Sequence, residues 1–62
     1  MKLEKTDIGK KIRYWTYNDV GKRIRKSAII DYIDVESEYC RSINQKLGYS
    51  FMITFDNIIK FL

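Results

Sequence analysis

One cysteine and no histidine in a chain of 62 residues exclude the usual fastenings of a small domain. Cys40 has no partner for an intrachain disulfide, and the common zinc sets lack their histidine ligands. A single core at this length supplies roughly 3–5 kcal/mol by itself. The core must therefore be dense in large apolar side chains. It is, with apolar residues at 45% of the chain and aromatics at 15%. A homodimer is the other route to buried area, and it stays open.

With no proline, the three glycines carry the punctuation. Gly9 precedes a first strand-like run over residues 10–17. Asn18, Asp19 and Gly21 tolerate turn conformations and separate it from a second run over residues 22–35. The two read as an antiparallel hairpin with a loop longer than the tightest type. The second run is long and irregular. Ile24, Lys26, Ala28, Ile30 and Tyr32 alternate, but Ile29, Ile33 and Val35 occupy the opposite phase. Large residues in both phases predict a strand that bends or bulges, so that each half buries a different face. "YSFMITF", residues 49–55, is the clearest strand. Tyr49, Phe51, Ile53 and Phe55 fall on one face, and Phe51, Ile53 and Phe55 are expected in the core. Asp56 and Asn57 signal a tight turn before a short last strand, "IIKFL", whose apolar end predicts a packed C-terminus.

Residues 37–48, "SEYCRSINQKLG", differ in character. Ser37 can cap a helix and Gly48 fits just past a helix end, while Tyr39 or Cys40, Ile43 and Leu47 recur at helical spacing. Tyr39, Arg41 and Ile43 also alternate, which allows a short strand and loop. The expectation is a short helix or long loop over residues 38–47, docked on the sheet because an isolated helix of this length does not hold in water.

The fold class is therefore mainly β: a small, strongly curved antiparallel sheet, partly closed, of about four strands with this one insert. The opening "DIGKKIRY", the turn at Gly21, "AIIDYID" and "YSFMITFDN" with its short last strand together resemble SH3-like small barrels, the Tudor and KOW type included. The likeness covers nearly the whole chain, but it consists of hydrophobic spacings and the 38–47 insert departs from the shortest barrels. Domains of that class mostly bind peptides, proteins or nucleic acids, and the resemblance implies a binding module of this kind. Fold alone does not fix function.

Charge divides the chain. Residues 1–26 hold nine Lys/Arg and three Asp/Glu, a net of +6; residues 27–62 hold three and five, a net of −2. A basic half favours an anionic partner by raising its local concentration. No apolar run approaches the length of a spanning helix, and the N-terminus lacks the apolar stretch of a signal peptide. With a lone thiol, the expectation is a cytoplasmic protein with no membrane partner.

No reaction is legible. The usual general base is missing, and Cys40 has no histidine to activate it, so its expected role is that of a small apolar or half-buried residue. Asp34, Glu36 and Glu38 would share one strand face with Asp31 opposite, the pattern of a solvated acidic edge rather than a magnesium site. "DIGKK" lacks the first glycine and the spacing of a phosphate loop. No catalytic residue, metal or cofactor is assigned.

What remains is "KKIRYWTY", residues 10–17. On an extended strand Lys11, Arg13, Trp15 and Tyr17 face one side, and Ile12, Tyr14 and Thr16 the other. If Ile12 points inward, the first set is an exposed row of cations and aromatics, the composition that tracks a phosphate backbone while stacking bases. If Trp15 points inward, this is a core strand with solvated charges. Lys10 leads into the row, and Lys22, Arg23, Arg25 and Lys26 follow across the turn and could pair beside it. The leading reading is a small non-enzymatic module contacting DNA or RNA through Lys10, Lys11, Arg13, Trp15, Tyr17, Lys22, Arg23, Arg25 and Lys26. The alternative is a protein-interaction module, such as an adaptor or a phage-type inhibitor of a host protein, using the acidic "DYIDVESE" or an exposed aromatic patch. The richness in Ile, Lys, Asn and Tyr suits a compact protein from an AT-rich genome.

Overall fold

A computed structural model describes all 62 residues, Met1–Leu62. It is mainly β, with six strands: β1 (Lys11–Tyr17), β2 (Arg23–Ile29), β3 (Tyr32–Asp34), β4 (Tyr39–Asn44), β5 (Tyr49–Thr54) and β6 (Ile58–Phe61). The helical content is two single 3-10 turns, Lys5–Asp7 and Phe55–Asn57. Two antiparallel three-stranded sheets form, in the orders β2-β1-β6 and β3-β4-β5, and they do not close into a barrel.

The long second run bends as its two phases require. Gly9 N–H donates to the Ile30 carbonyl at 2.8 Å and Ile30 N–H to the Lys10 carbonyl at 3.0 Å, extending the β1 pairing. One residue later, Asp31 N–H donates to the Arg41 carbonyl at 2.9 Å, so the chain has crossed to the second sheet. Ala28 and Ile30 are buried before the corner and Ile33 after it, while Ile29 is exposed. Each half thus buries its own phase.

The core joins Leu3, Ile12, Tyr14, Ala28, Ile30, Ile33, Cys40, Ile53, Phe55 and Ile58. Ile53 and Phe55 are buried as their alternation predicts, with Ser50, Met52 and Thr54 exposed opposite. Phe51 is a partial correction: it is half-buried, packed against the core from the side. Tyr49, in the same phase, is exposed.

Residues 38–47 correct the expected helix or long loop. Tyr39–Asn44 is a strand, paired in full register with β5 from Tyr39↔Thr54 to Asn44↔Tyr49. Its inward residues are the small Cys40 and Ser42, both buried. Six backbone pairings with a strong neighbouring strand outweigh a weak helical spacing that is also too short to nucleate. The helix-end signal at Gly48 has a literal counterpart, since Gly48 N–H donates to the Asn44 carbonyl at 2.8 Å and closes a single helical turn between β4 and β5. The Asn44 side chain accepts from Leu47 N–H at 3.1 Å inside that turn. Strand number rises from about four to six because the long run splits and β4 is added.

Gly48 has φ +72°, and a Cβ there would meet nothing within 4 Å. The penalty for a side chain is therefore backbone strain alone. Gly48→Ala is expected to lower stability by ~1–2 kcal/mol, with Gly48→Asn milder because Asn tolerates this region. Denaturant midpoints of the two variants check this; equal stability of Gly48→Ala and the parent would show that the turn is not held in the left-handed region.

Candidate nucleic-acid interface

Strand β1 decides the question that its sequence raises. Ile12 is fully buried and Tyr14 is 7% exposed, so the even residues face the core and Lys11, Arg13, Trp15 and Tyr17 face outward. Directly paired residues on antiparallel strands share a face. Register then assembles the outer face of the β2-β1-β6 sheet: Tyr17 lies beside Arg23, Trp15 beside Arg25, Arg13 beside Ser27 and, on its other flank, beside Lys60.

The face therefore carries Lys11, Arg13, Arg23, Arg25 and Lys60 with Trp15 and Tyr17, and no paired position on it is acidic. None of these cations takes part in either of the molecule's two ion pairs, Lys10–Asp7 and Arg41–Asp31. Trp15 is half-buried at the centre. The Arg23 guanidinium lies 4.1 Å from its ring centroid and that of Arg25 5.7 Å away. Such stacking holds guanidinium groups in place while leaving their N–H donors free to bind phosphate. Tyr17 is 68% exposed at the hairpin end.

The turn that joins β1 to β2 is well fastened. The Asn18 side chain accepts from Val20 N–H at 3.1 Å and from Lys22 N–H at 2.9 Å, and Gly21 takes a φ of +78°. The Lys22 side chain is exposed beside the face.

Two expected members lie elsewhere. Lys10 stands before β1, and its ammonium contacts the Asp7 carboxylate at 2.8 Å and sits 5.0 Å from the Phe61 ring centroid. Hydrogen bonding from Lys10 first, then from the Glu4 amide, holds the Asp7 carboxyl below its usual range. Lys10 is thus committed to the N-terminal turn. Lys26 pairs with Tyr14 and belongs to the inner side of the hairpin, where it stays exposed at the β2 edge. Lys60 is the member that sequence reasoning missed. Its only signal lies in the alternation of the last strand, and nothing local says that this strand returns to β1.

The remaining chemistry is structural. Cys40 is fully buried in the core, and burial first, then the nearby Asp31 charge, pushes its thiol up to about 11. Asp31 holds Arg41 Nε at 3.1 Å, and Asp34 accepts from Ser37 N–H at 3.1 Å in the β3–β4 turn. Two of the four acidic residues considered for a metal are thus engaged with the protein itself. No helix is long and apolar enough to cross a membrane.

Comparison with protein-family models, with curated proteins and with solved structures gives no match.

The raised thiol has a consequence for alkaline stability. The folded state favours the neutral form, so this contribution is complete below the unfolded thiol's value near ~8.5 and is lost as pH rises through about 11. Denaturant midpoints of the parent and of Cys40→Ala should differ most near neutral pH and converge toward that limit. A constant difference across the range would show that Cys40 ionises as freely folded as unfolded.

Proposed function

We propose that this protein is a small, cytoplasmic, non-enzymatic module that binds nucleic acid on the outer face of its β2-β1-β6 sheet. One observation carries the reading. Five cations outside any ion pair and two aromatics share a single sheet face on which no paired position is acidic. Phosphates supply the affinity by releasing counterions as they are neutralised, and Arg23 and Arg25, held against Trp15, present planar donors to them. The SH3-like reading is kept as part of the proposal. One bent strand feeds both sheets and the short last strand returns to β1.

The pair Arg13↔Lys60 adds a separate support. Like charges directly opposite on neighbouring strands are destabilising, by up to ~1 kcal/mol. A chain this small has little stability to lose, and such local conflicts are expected where function requires them.

The protein-interaction alternative has its own observation. The outer face of the second sheet carries Tyr32 at 40% exposure, Ile43 at 48% and Met52 at 65%, beside Tyr39 and Arg41. That face is the more apolar of the two, and it would serve a protein partner of the adaptor or phage-inhibitor type.

The test is a binding titration over a salt series. Binding of the parent should weaken steeply with salt, and Arg13→Ala should flatten the log–log slope by ~0.9 on duplex DNA or ~0.7 on single strands, with equal losses across sequences. No binding to DNA or RNA at low salt overturns the reading in favour of a protein partner.

Lys60→Glu separates charge from folding. It replaces a like pair with an opposite one beside Arg13, so thermal stability should hold or rise, by up to ~1 kcal/mol, while nucleic-acid affinity falls. Loss of both together would mean that Lys60 serves the fold.

A further inference from the structure

The chain passes between the two sheets at the Ile30–Asp31 corner and again at the Phe55–Asn57 turn, whose Asn57 lies at a cleft between them. There the β1–β2 hairpin and β5 enclose an open cleft of about 450 Å³. Three rings line it in sequence: Tyr14 lies 6.1 Å from Phe51, and Phe51 lies 6.2 Å from Tyr49, centroid to centroid. Phe51 is half-buried and Tyr49 is 50% exposed. The ring surface thus runs from the core out to solvent.

The cleft pairs these rings with polar groups. Arg23 and Lys26 line it, and no carboxylate does. The Tyr14 hydroxyl makes no hydrogen bond within the protein, and it is not among the buried unpaired atoms, so it keeps contact with solvent at the cleft. Asn57 donates through Nδ2 to Thr54 Oγ1 at 3.1 Å, which leaves its carbonyl oxygen as an acceptor beside the rings. A flat ring with polar edges and a negative charge outside it matches this lining. An aliphatic side chain would make no use of the cations or of the free hydroxyl.

Trp15, Tyr17 and Arg23 line the cleft and also belong to the outer sheet face. The two surfaces are therefore continuous around the hairpin, and Lys26, which that face excludes, stands on the cleft side. A chain whose phosphates follow Arg23 and then Arg25 along β2 would next meet Lys26, with a base able to turn inward. In a duplex the same base would first have to leave its stack, at a cost of a few kcal/mol.

We infer that this cleft receives one unpaired base of a single-stranded nucleic acid, stacked against Tyr49 and Phe51, with Arg23 and Lys26 on its phosphates. The inference rests on the nucleic-acid reading above and sharpens it from nucleic acid in general to single strands. Base-on-aromatic stacking of this kind tolerates many sequences, because every base has a π face.

The experiment compares a labelled oligothymidine with a duplex of equal length by fluorescence anisotropy at low salt, near ~50 mM. The single strand should bind roughly tenfold tighter than the duplex. Tyr49→Ala, at an exposed position whose loss circular dichroism can show to leave the fold intact, should weaken the single strand by roughly 5- to 150-fold and leave the duplex unchanged. Tyr49→Phe keeps the ring and should bind as the parent does. A single strand carrying only abasic sites should bind the parent as weakly as the intact strand binds Tyr49→Ala. Equal affinity for single strand and duplex, with neither altered by Tyr49→Ala, overturns the cleft and leaves the sheet-face reading standing. Equal weakening of both by Tyr49→Ala also overturns base insertion. Absence of binding to either nucleic acid removes the sheet-face reading and the cleft together.

Discussion

The structure turns on the corner at Ile30 and Asp31. Within two residues, one strand stops pairing with β1 and starts pairing with β4. Ile30 is 1% exposed at that corner. The change of phase there lets Ala28 and Ile30 face the core from one sheet and Ile33 from the other. Every other pairing follows. The first sheet is completed by β6, the second by β4 and β5, and the Phe55–Asn57 turn carries the chain back between them. With no disulfide available, the bent strand at Ile30–Asp31 and the three-residue Phe55–Asn57 turn are the short covalent links that couple the two sheets. At the N-terminus, Leu3 plugs the core and the terminal ammonium donates to the Phe55 carbonyl at 2.9 Å.

The chain leaves 4744 Å² accessible, against ~4,250 Å² expected for a folded monomer of 7.5 kDa. Only 12 of 62 residues are buried, which places the fold among the marginal small domains. Tyr14, Phe51 and Tyr49 line the cleft between the β1–β2 hairpin and β5, where the packing leaves a ring-lined space open. Filling it with apolar side chains would stabilise the domain, as it would in an idealised design. The natural lining instead keeps Lys26, Asn57 and an unpartnered tyrosine hydroxyl.

Much of this was legible in the residues. The strand-like runs read over residues 10–17 and 49–55, the turn chemistry at Asn18 and Gly21, and the double phase of residues 22–35 each correspond to an element in place. What was not legible depends on distant pairing. Strand β4 turns small residues inward, Cys40 and Ser42, and puts Tyr39, Arg41 and Ile43 outward, so its alternation carries no strong apolar signal. A short helical spacing competed with it, and only the register with β5 decides between them. Lys60 joined the basic face through a pairing that spans most of the chain, between β1 and β6. Lys26 was different, because its separation from Arg23 and Arg25 follows from alternation alone. Grouping all four basic residues after the turn overlooked the phase of the strand that carries them.

The outer face of the first sheet departs from what folding alone would select. A solvated face of an antiparallel sheet is stabilised when opposite charges stand across from one another. Here Arg13 stands across from Lys60, and Arg23 and Arg25 both lean on one tryptophan, while the acidic residues Asp31 and Asp34 are spent on the corner and the β3–β4 turn. Moving one carboxylate onto that face would relieve the repulsion without touching the core. The cation–π contacts with Trp15 lessen the conflict only locally, since they hold the guanidinium groups but do not neutralise them. A polyanion does neutralise them, and it brings counterion release as well. On the proposed reading, a phosphate backbone laid on this face would relieve the same repulsion, and the conflict in the unbound sheet would become part of its affinity.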